Sequence, residues 1–239
     1  VEMPSALPAA CFLIPILAGF VVLAGGRCGF RWCQLVTMMA SGAMALSALD
    51  MASQAWTGTV LTTWGNELRV DALSALVVLI VSGIGVLATA YSIRYMEHAA
   101  AAEGPGPGTR AQRMPLFHAL VLWFLGTMAW AAVTNNIIML WAAVEATTLS
   151  SGLLVAFFWD RRALEAGYKY MMLLTVGITF ALFGCVVVYA AAAATGGLSG
   201  REALLMSEVR GVAGAIPSGT ALIAVSMLLI GFGTKAGLA

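Results

Sequence analysis

The sequence predicts an all-α, polytopic membrane helix bundle of about seven transmembrane spans, and three observations carry that expectation. Hydrophobic residues make up 61% of the 239 positions and charged residues only 10%, more apolar surface than a water-soluble core of this size needs. The apolar residues fall into runs of about 20, the length that crosses a bilayer as a helix. Tryptophans and arginines mark the ends of several runs, as they do at a membrane–water boundary.

Composition also excludes. A net charge of +1 gives no footing for nucleic-acid binding. The cysteines, Cys11, Cys28, Cys33 and Cys185, form no CxxC pair, and His98 and His118 are the only histidines. Neither iron–sulfur nor haem ligation is expected, so no cofactor, metal or catalytic chemistry is assigned to this chain.

The first span covers about 7–25, with Pro8 and Pro15 inside it and Arg27 and Arg31 closing it. No basic leader with a small-residue cleavage site precedes it, so it reads as part of the fold. The second, about 32–56, has tryptophans at both ends, and Asp50 near its far end is expected to snorkel toward the headgroups. A polar link with Gly58, Gly65, Asn66, Glu67 and Arg69 leads to Asp71, expected to cap the third span, about 72–91. The segment from Arg94 to Arg113, with Gly104-Pro105-Gly106-Pro107-Gly108, reads as a flexible loop.

The fourth span, about 115–133, places His118 in its first turn, where an interfacial role is expected over a proton relay. Thr134-Asn135-Asn136 turns tightly into the fifth span, 136–158, making the two antiparallel neighbours. The sixth, about 167–193, carries Gly177 and Gly184, small residues that allow close helix contact. Residues 196–217 are expected to hold a short amphipathic surface helix, and a seventh span runs from Ser218 past Lys235. That span reaches Ala239 without a polar flank, so the chain looks cut off there. Two units are expected: 1–114, with three spans and the loop, and 115–239.

Basic residues set the orientation. Arg27, Arg31, Arg94, Arg110, Arg113, Arg161 and Arg162 follow odd-numbered spans, against Arg69, Arg201 and Arg210 on the other side. The odd loops are therefore expected in the cytoplasm and the N-terminus outside, in an inner (cytoplasmic) membrane.

Glu145 is the centre of interest. It lies nine residues beyond Asn136, about 13–14 Å into the bilayer at the helical rise. A charge at that depth costs about 2.5–3.5 kcal/mol on insertion scales, so such residues face protein or water and usually have a task. Thr147, Thr148, Ser150 and Ser151 follow it. Lys169, near the start of the next span, is expected about 8 Å from Glu145 along the axis, within bridging reach. A carboxylate whose neighbouring ammonium can move suits proton transfer, whereas a purely static pair is a costly way to hold apolar helices together. Lys235 is flanked by Gly231, Gly233 and Gly237. Spacing leaves it open between snorkelling and a polar cavity at an interrupted helix.

The run from Trp141 to Ser151 (WAAVEATTLSS), then Asp160 to Ala166 (DRRALEA) and Tyr168-Lys169-Tyr170, resembles the proton-pumping antiporter-like subunits. These are found in complex I, Mrp cation/proton antiporters and the membrane arm of group 4 hydrogenases, and the wording is most similar to the hydrogenase-4 type. Asp71-Ala72-Leu73-Ser74 and Gly231-Phe232-Gly233-Thr234-Lys235 match in the same order. The resemblance implies the N-terminal half of a 14-helix inverted-repeat fold. It makes Glu145, Lys169 and Lys235 the proton relay, the last on a broken seventh helix; Asp71, His118 and Thr148 are counted beside it as candidate accessory residues. The second repeat is missing, so a complete ion path is not expected of this chain alone.

The function it implies is that of a non-redox membrane subunit of a proton-translocating oxidoreductase. The partners implied are other membrane subunits of a hydrogenase or complex-I-like assembly and, through them, a peripheral redox arm. The alternatives are a component of an Mrp-like cation/proton antiporter and a truncated, non-transporting scaffold.

Overall fold

The computed structural model describes residues 2–26, 29–101 and 110–237. Arg27, Cys28, the Gly104–Gly108 run and Ala239 lie outside the described residues. In order come β1 (Glu2–Pro4), α1 (Leu7–Ala24), α2 (Phe30–Trp56), β2 (Val60–Thr63), β3 (Leu68–Val70), α3 (Ala72–Ala101) and α4 (Arg110–Val133). Then follow α5 (Ile137–Val155), α6 (Arg161–Gly196), α7 (Met206–Val212) and α8 (Ser218–Ala236), with single 3-10 turns on either side of α7. All the helices except α7 are long and apolar enough to cross a membrane, seven among the described residues.

Local chemistry fixes the helix starts. Asp71 Oδ1 accepts from the Ser74 amide at 2.8 Å, capping α3 as its position before an apolar run implies. Asn136 Oδ1 accepts from the amides of Ile138 and Met139 and caps α5. Asp160 Oδ1 does the same for α6 through the Ala163 amide. That last cap starts α6 at Arg161, six residues before the expected start of the span.

The hydrophilic segment 94–113 is also more helical than its composition suggests. α3 runs through Arg94 to Ala101 and α4 begins at Arg110, since its alanines, Glu97, Gln112 and arginines are helix formers and only the Gly-Pro run opposes a helix. The polar link 58–70 is a β-hairpin. β2 pairs antiparallel with β3 and parallel with β1, so the N-terminus supplies the third strand.

Neighbouring helices pack in sequence order from α1 to α6, with α1 also against α4 and α8 against α6. A large apolar core lies beneath the hairpin, where Met44, Met51, Leu61, Leu68, Val70 and Val133 are fully buried. α6 and α8 approach closely on glycine. A Cβ on Gly231 would stand 2.3 Å from the Ala181 backbone nitrogen, and one on Gly177 would overlap Thr234. α8 continues unbroken through Gly231 and Gly233 and ends just after Lys235, where Gly237 takes φ +80°. In this chain Gly231 serves helix contact and does not interrupt the helix.

Candidate functional site

The site is built where α5, α6 and α8 meet, two to three turns into the bundle from the Asn136 cap. Glu145 is half-buried on α5. The ammonium of Lys235, from the last turn of α8, lies within electrostatic range of its carboxylate, and Thr175 of α6 is a neighbouring hydroxyl. Its second oxygen, Oε2, is buried and has no hydrogen-bond partner among the described residues. One turn along α5, Thr148 is fully buried. Its Oγ1 donates to the Val144 carbonyl and accepts from Lys235 Nζ at 2.8 Å. The lysine therefore turns inward to the α5 hydroxyl row. A cavity of about 460 Å³ opens beside it, lined by Val144, Thr147, Tyr170 and Lys235 together with apolar residues of α3 and α4.

The structure brings Glu145, Thr148 and Lys235 together and leaves three expected residues elsewhere. Lys169 does not bridge to Glu145. It pairs with Glu165, four residues back on the same helix, at 2.5 Å, and both side chains are largely exposed. The reason is helical phase. The buried stripe of α6 runs through Gly167, Ile178, Ala181 and Cys185, and Lys169 lies nine residues before Ile178, half a turn out of register at about 100° per residue.

His118 is fully buried, not interfacial, because α4 starts at Arg110 and His118 therefore sits about two turns inside the helix. Its ring lies against Phe117 and Phe30, with centroids at 5.5 and 6.3 Å, and neither nitrogen has a partner among the described residues. Asp71 is used as the α3 cap, and Asp50, exposed as expected, accepts from Gln54.

Two residues at the site were not singled out from the sequence. Tyr170, 100° round from Lys169, points inward and bonds Ser151 through its hydroxyl at 2.9 Å. Thr175, exposed on α6, carries a hydroxyl in the neighbourhood of Glu145. The small-residue stripe Gly167, Gly177, Ala181 and Gly184 was the available signal, because it fixes which face of the helix is inside.

Two family descriptions match in chain order. Residues 62–103 match the N-terminus of chain 5 of NADH-ubiquinone oxidoreductase (complex I). Residues 134–239 match the transmembrane region shared by NADH:quinone oxidoreductase and Mrp antiporters. Glu145, Lys169 and Lys235 fall in the second match, Asp71 in the first and His118 between them.

A hydrogenase-4 component F homolog of Methylacidiphilum infernorum is 32% identical over 174 residues, 73% of this chain and 36% of that protein. The A component of the Na(+)/H(+) antiporter of Alkalihalophilus pseudofirmus is 28% identical over 179 residues, 72% of this chain and 21% of that protein. The fold superposes on a chain of an archaeal membrane-bound sulfane sulfur reductase with a TM-score of 0.79, at 19% identity over 95% of this chain and 44% of that one. Respiratory complex I from Thermus thermophilus gives 0.65 at the same identity and coverage. The chain thus spans less than half the length of each of these relatives.

Proposed function

We infer that this chain, which belongs to the antiporter-like membrane subunit family of complex I, Mrp antiporters and group 4 hydrogenases, acts as a membrane subunit of a proton-translocating oxidoreductase complex. Glu145 and Lys235 carry the proton relay, and Lys169 is an outer station. The carrying observation is the inward turn of Lys235 to Thr148, one turn from a carboxylate with a spare, unpartnered oxygen. An ammonium that can move between the Thr148 hydroxyl and Glu145 sets whether the carboxylate holds or gives up its proton. Electrons pass through partner subunits, and their redox steps drive the ammonium's movement. The similarity to a hydrogenase-4 component F homolog favours a hydrogenase-type partner arm.

Glu145→Gln in the assembled complex tests the relay. Glutamine keeps the volume, so assembly and electron flux persist, while proton uptake into sealed vesicles, normalised to both, falls roughly a hundred-fold. Unchanged pumping per electron would leave Glu145 a packing residue. The antiporter reading, favoured by the match to the Na(+)/H(+) antiporter component, requires sodium-dependent proton exchange without electron flow in the same vesicles.

The basic loops face the cytoplasm and the N-terminus faces outside. In intact cells a membrane-impermeant thiol reagent should label Thr57→Cys and spare Gly106→Cys. The reverse pattern would invert the topology.

A further inference from the structure

We propose that the groove between α3, α4 and the end of α5 binds one acyl chain of an anionic phospholipid, with Arg113 and Trp159 at its mouth holding the headgroup. The groove has a volume of about 560 Å³, and its wall includes Ile84, Ala88, Phe117, Val121 and Leu154. Among the described residues of that wall Ser92 alone carries a hydroxyl, and it already donates to the Thr89 carbonyl. Water would find almost no hydrogen-bond partners there, whereas an apolar chain needs none.

Length points to a lipid tail. The lining runs from Ile80 to Ser92 on α3 and from Phe117 to Met128 on α4, about 16–18 Å at the helical rise. That is close to one leaflet of a hydrocarbon core about 30 Å thick.

Charge points to the headgroup. Arg113 is one turn from Phe117 on the same face of α4, and its guanidinium lies 4.7 Å from the centre of the Trp159 ring. Phe117 packs on Phe157 at 5.2 Å, which joins the groove wall to the turn bearing Trp159. That turn holds Trp159 at φ +56°, a conformation side chains other than glycine rarely adopt. Arg161 and Arg162 follow, exposed in the first turn of α6. Among the described residues, the acidic groups near this end are engaged: Asp160 caps α6, Glu97 accepts from Gln34 and Glu165 holds Lys169. An anionic headgroup would meet a net basic rim, the arrangement that recruits acidic lipids between membrane helices.

The test is native mass spectrometry of the full chain in detergent, titrated with dioleoyl phosphatidylglycerol or dioleoyl phosphatidylcholine. One phosphatidylglycerol should bind, about five-fold tighter than phosphatidylcholine. Arg113→Gln should remove the preference. Ala88→Phe, which fills the groove, should remove binding of both lipids, and Leu87→Phe, on the exposed face of α3, should change nothing. Val121→Phe blocks the groove from the opposite wall, should Ala88→Phe lower the melting temperature. Equal affinity for the two lipids, full binding by both groove-filling variants, or competition by soluble glycerol phosphate would overturn the proposal. So would a dimer mass that the groove-filling variants abolish, since the groove would then hold a second copy of the chain.

Discussion

Two polar clusters sit in this apolar bundle, and they use their hydrogen-bonding capacity in opposite ways. At the Asn136 end, Glu67 of the hairpin accepts from Arg201 Nε at 2.6 Å and from Asn136 Nδ2 at 2.8 Å. Arg201 also donates to the carbonyls of Trp64 and Gly65, and the approach is so close that a Cβ on Gly65 would stand 2.9 Å from the guanidinium. Asn135 binds Asn66 and Ser207. Among the described residues only Asn66 Oδ1 is left buried without a partner there, and the charged groups, Glu67 and Arg201, are engaged, so the hairpin, the α4–α5 turn and the chain around the start of α7 form one clamp. At the centre, Glu145 keeps one buried oxygen unpartnered and Lys235 has the single hydroxyl of Thr148. A cluster that fixes structure satisfies its polar groups. One that handles protons needs spare lone pairs and a partner able to move.

The largest effect that sharpens this contrast is on transport. Lys235→Met keeps the length of the side chain and removes the charge, so proton uptake per electron in assembled vesicles should fall roughly thirty-fold or more, with the complex still assembled. Loss of assembly instead would place Lys235 with the clamp, as a structural residue. Glu67→Ala should do the opposite. It strips the charged acceptor from Arg201 and Asn136 and should destabilise the chain by about 3 kcal/mol, read as the denaturant midpoint in mixed micelles. Its pumping per assembled complex should be near normal. A variant with ordinary stability and no pumping would make the clamp part of the relay.

The close face between α6 and α8 comes next. Gly231→Ala should cost about 2 kcal/mol, because the added methyl meets the backbone of Ala181 and not a flexible side-chain end. It should also lower pumping by shifting Lys235 away from Thr148. Ordinary stability with unchanged transport would mean that the two helices have more freedom than their packing implies.

These outcomes bear on what the sequence could reveal. The spans were legible because hydropathy and helix length are properties of contiguous residues, and the cap at Asp71 because a cap acts within one turn. The hairpin was not, because the sheet's third strand comes from Glu2–Pro4, almost sixty residues away, and strands of three or four residues are too short for alternation to stand out. Depth along the chain marked Glu145 as a carboxylate turned toward protein. It could not choose the cation, because depth says nothing about azimuth. Depth put Lys169 within bridging reach and left Lys235 open between snorkelling and a polar cavity, and only the glycine and alanine stripes of α6 and α8 decide which lysine points inward.

The smallest expected effect is therefore the most discriminating between those two lysines. Lys169 and Glu165 form an exposed pair four residues apart on one helix, an arrangement worth about 0.3–0.5 kcal/mol in water. Lys169→Ala should leave the denaturant midpoint almost unchanged and reduce proton uptake less than Lys235→Met does. As an outer station it would act on Glu145 only through space, and the reduction should weaken as salt rises, since an exposed charge is screened over about 10 Å at 0.1 M. A loss equal to that of Lys235→Met and indifferent to salt would mean that Lys169 reaches the relay directly in the assembled complex. The helix would then have to turn, or a partner would have to cover its outer face, and the pairing with Glu165 would be the resting arrangement.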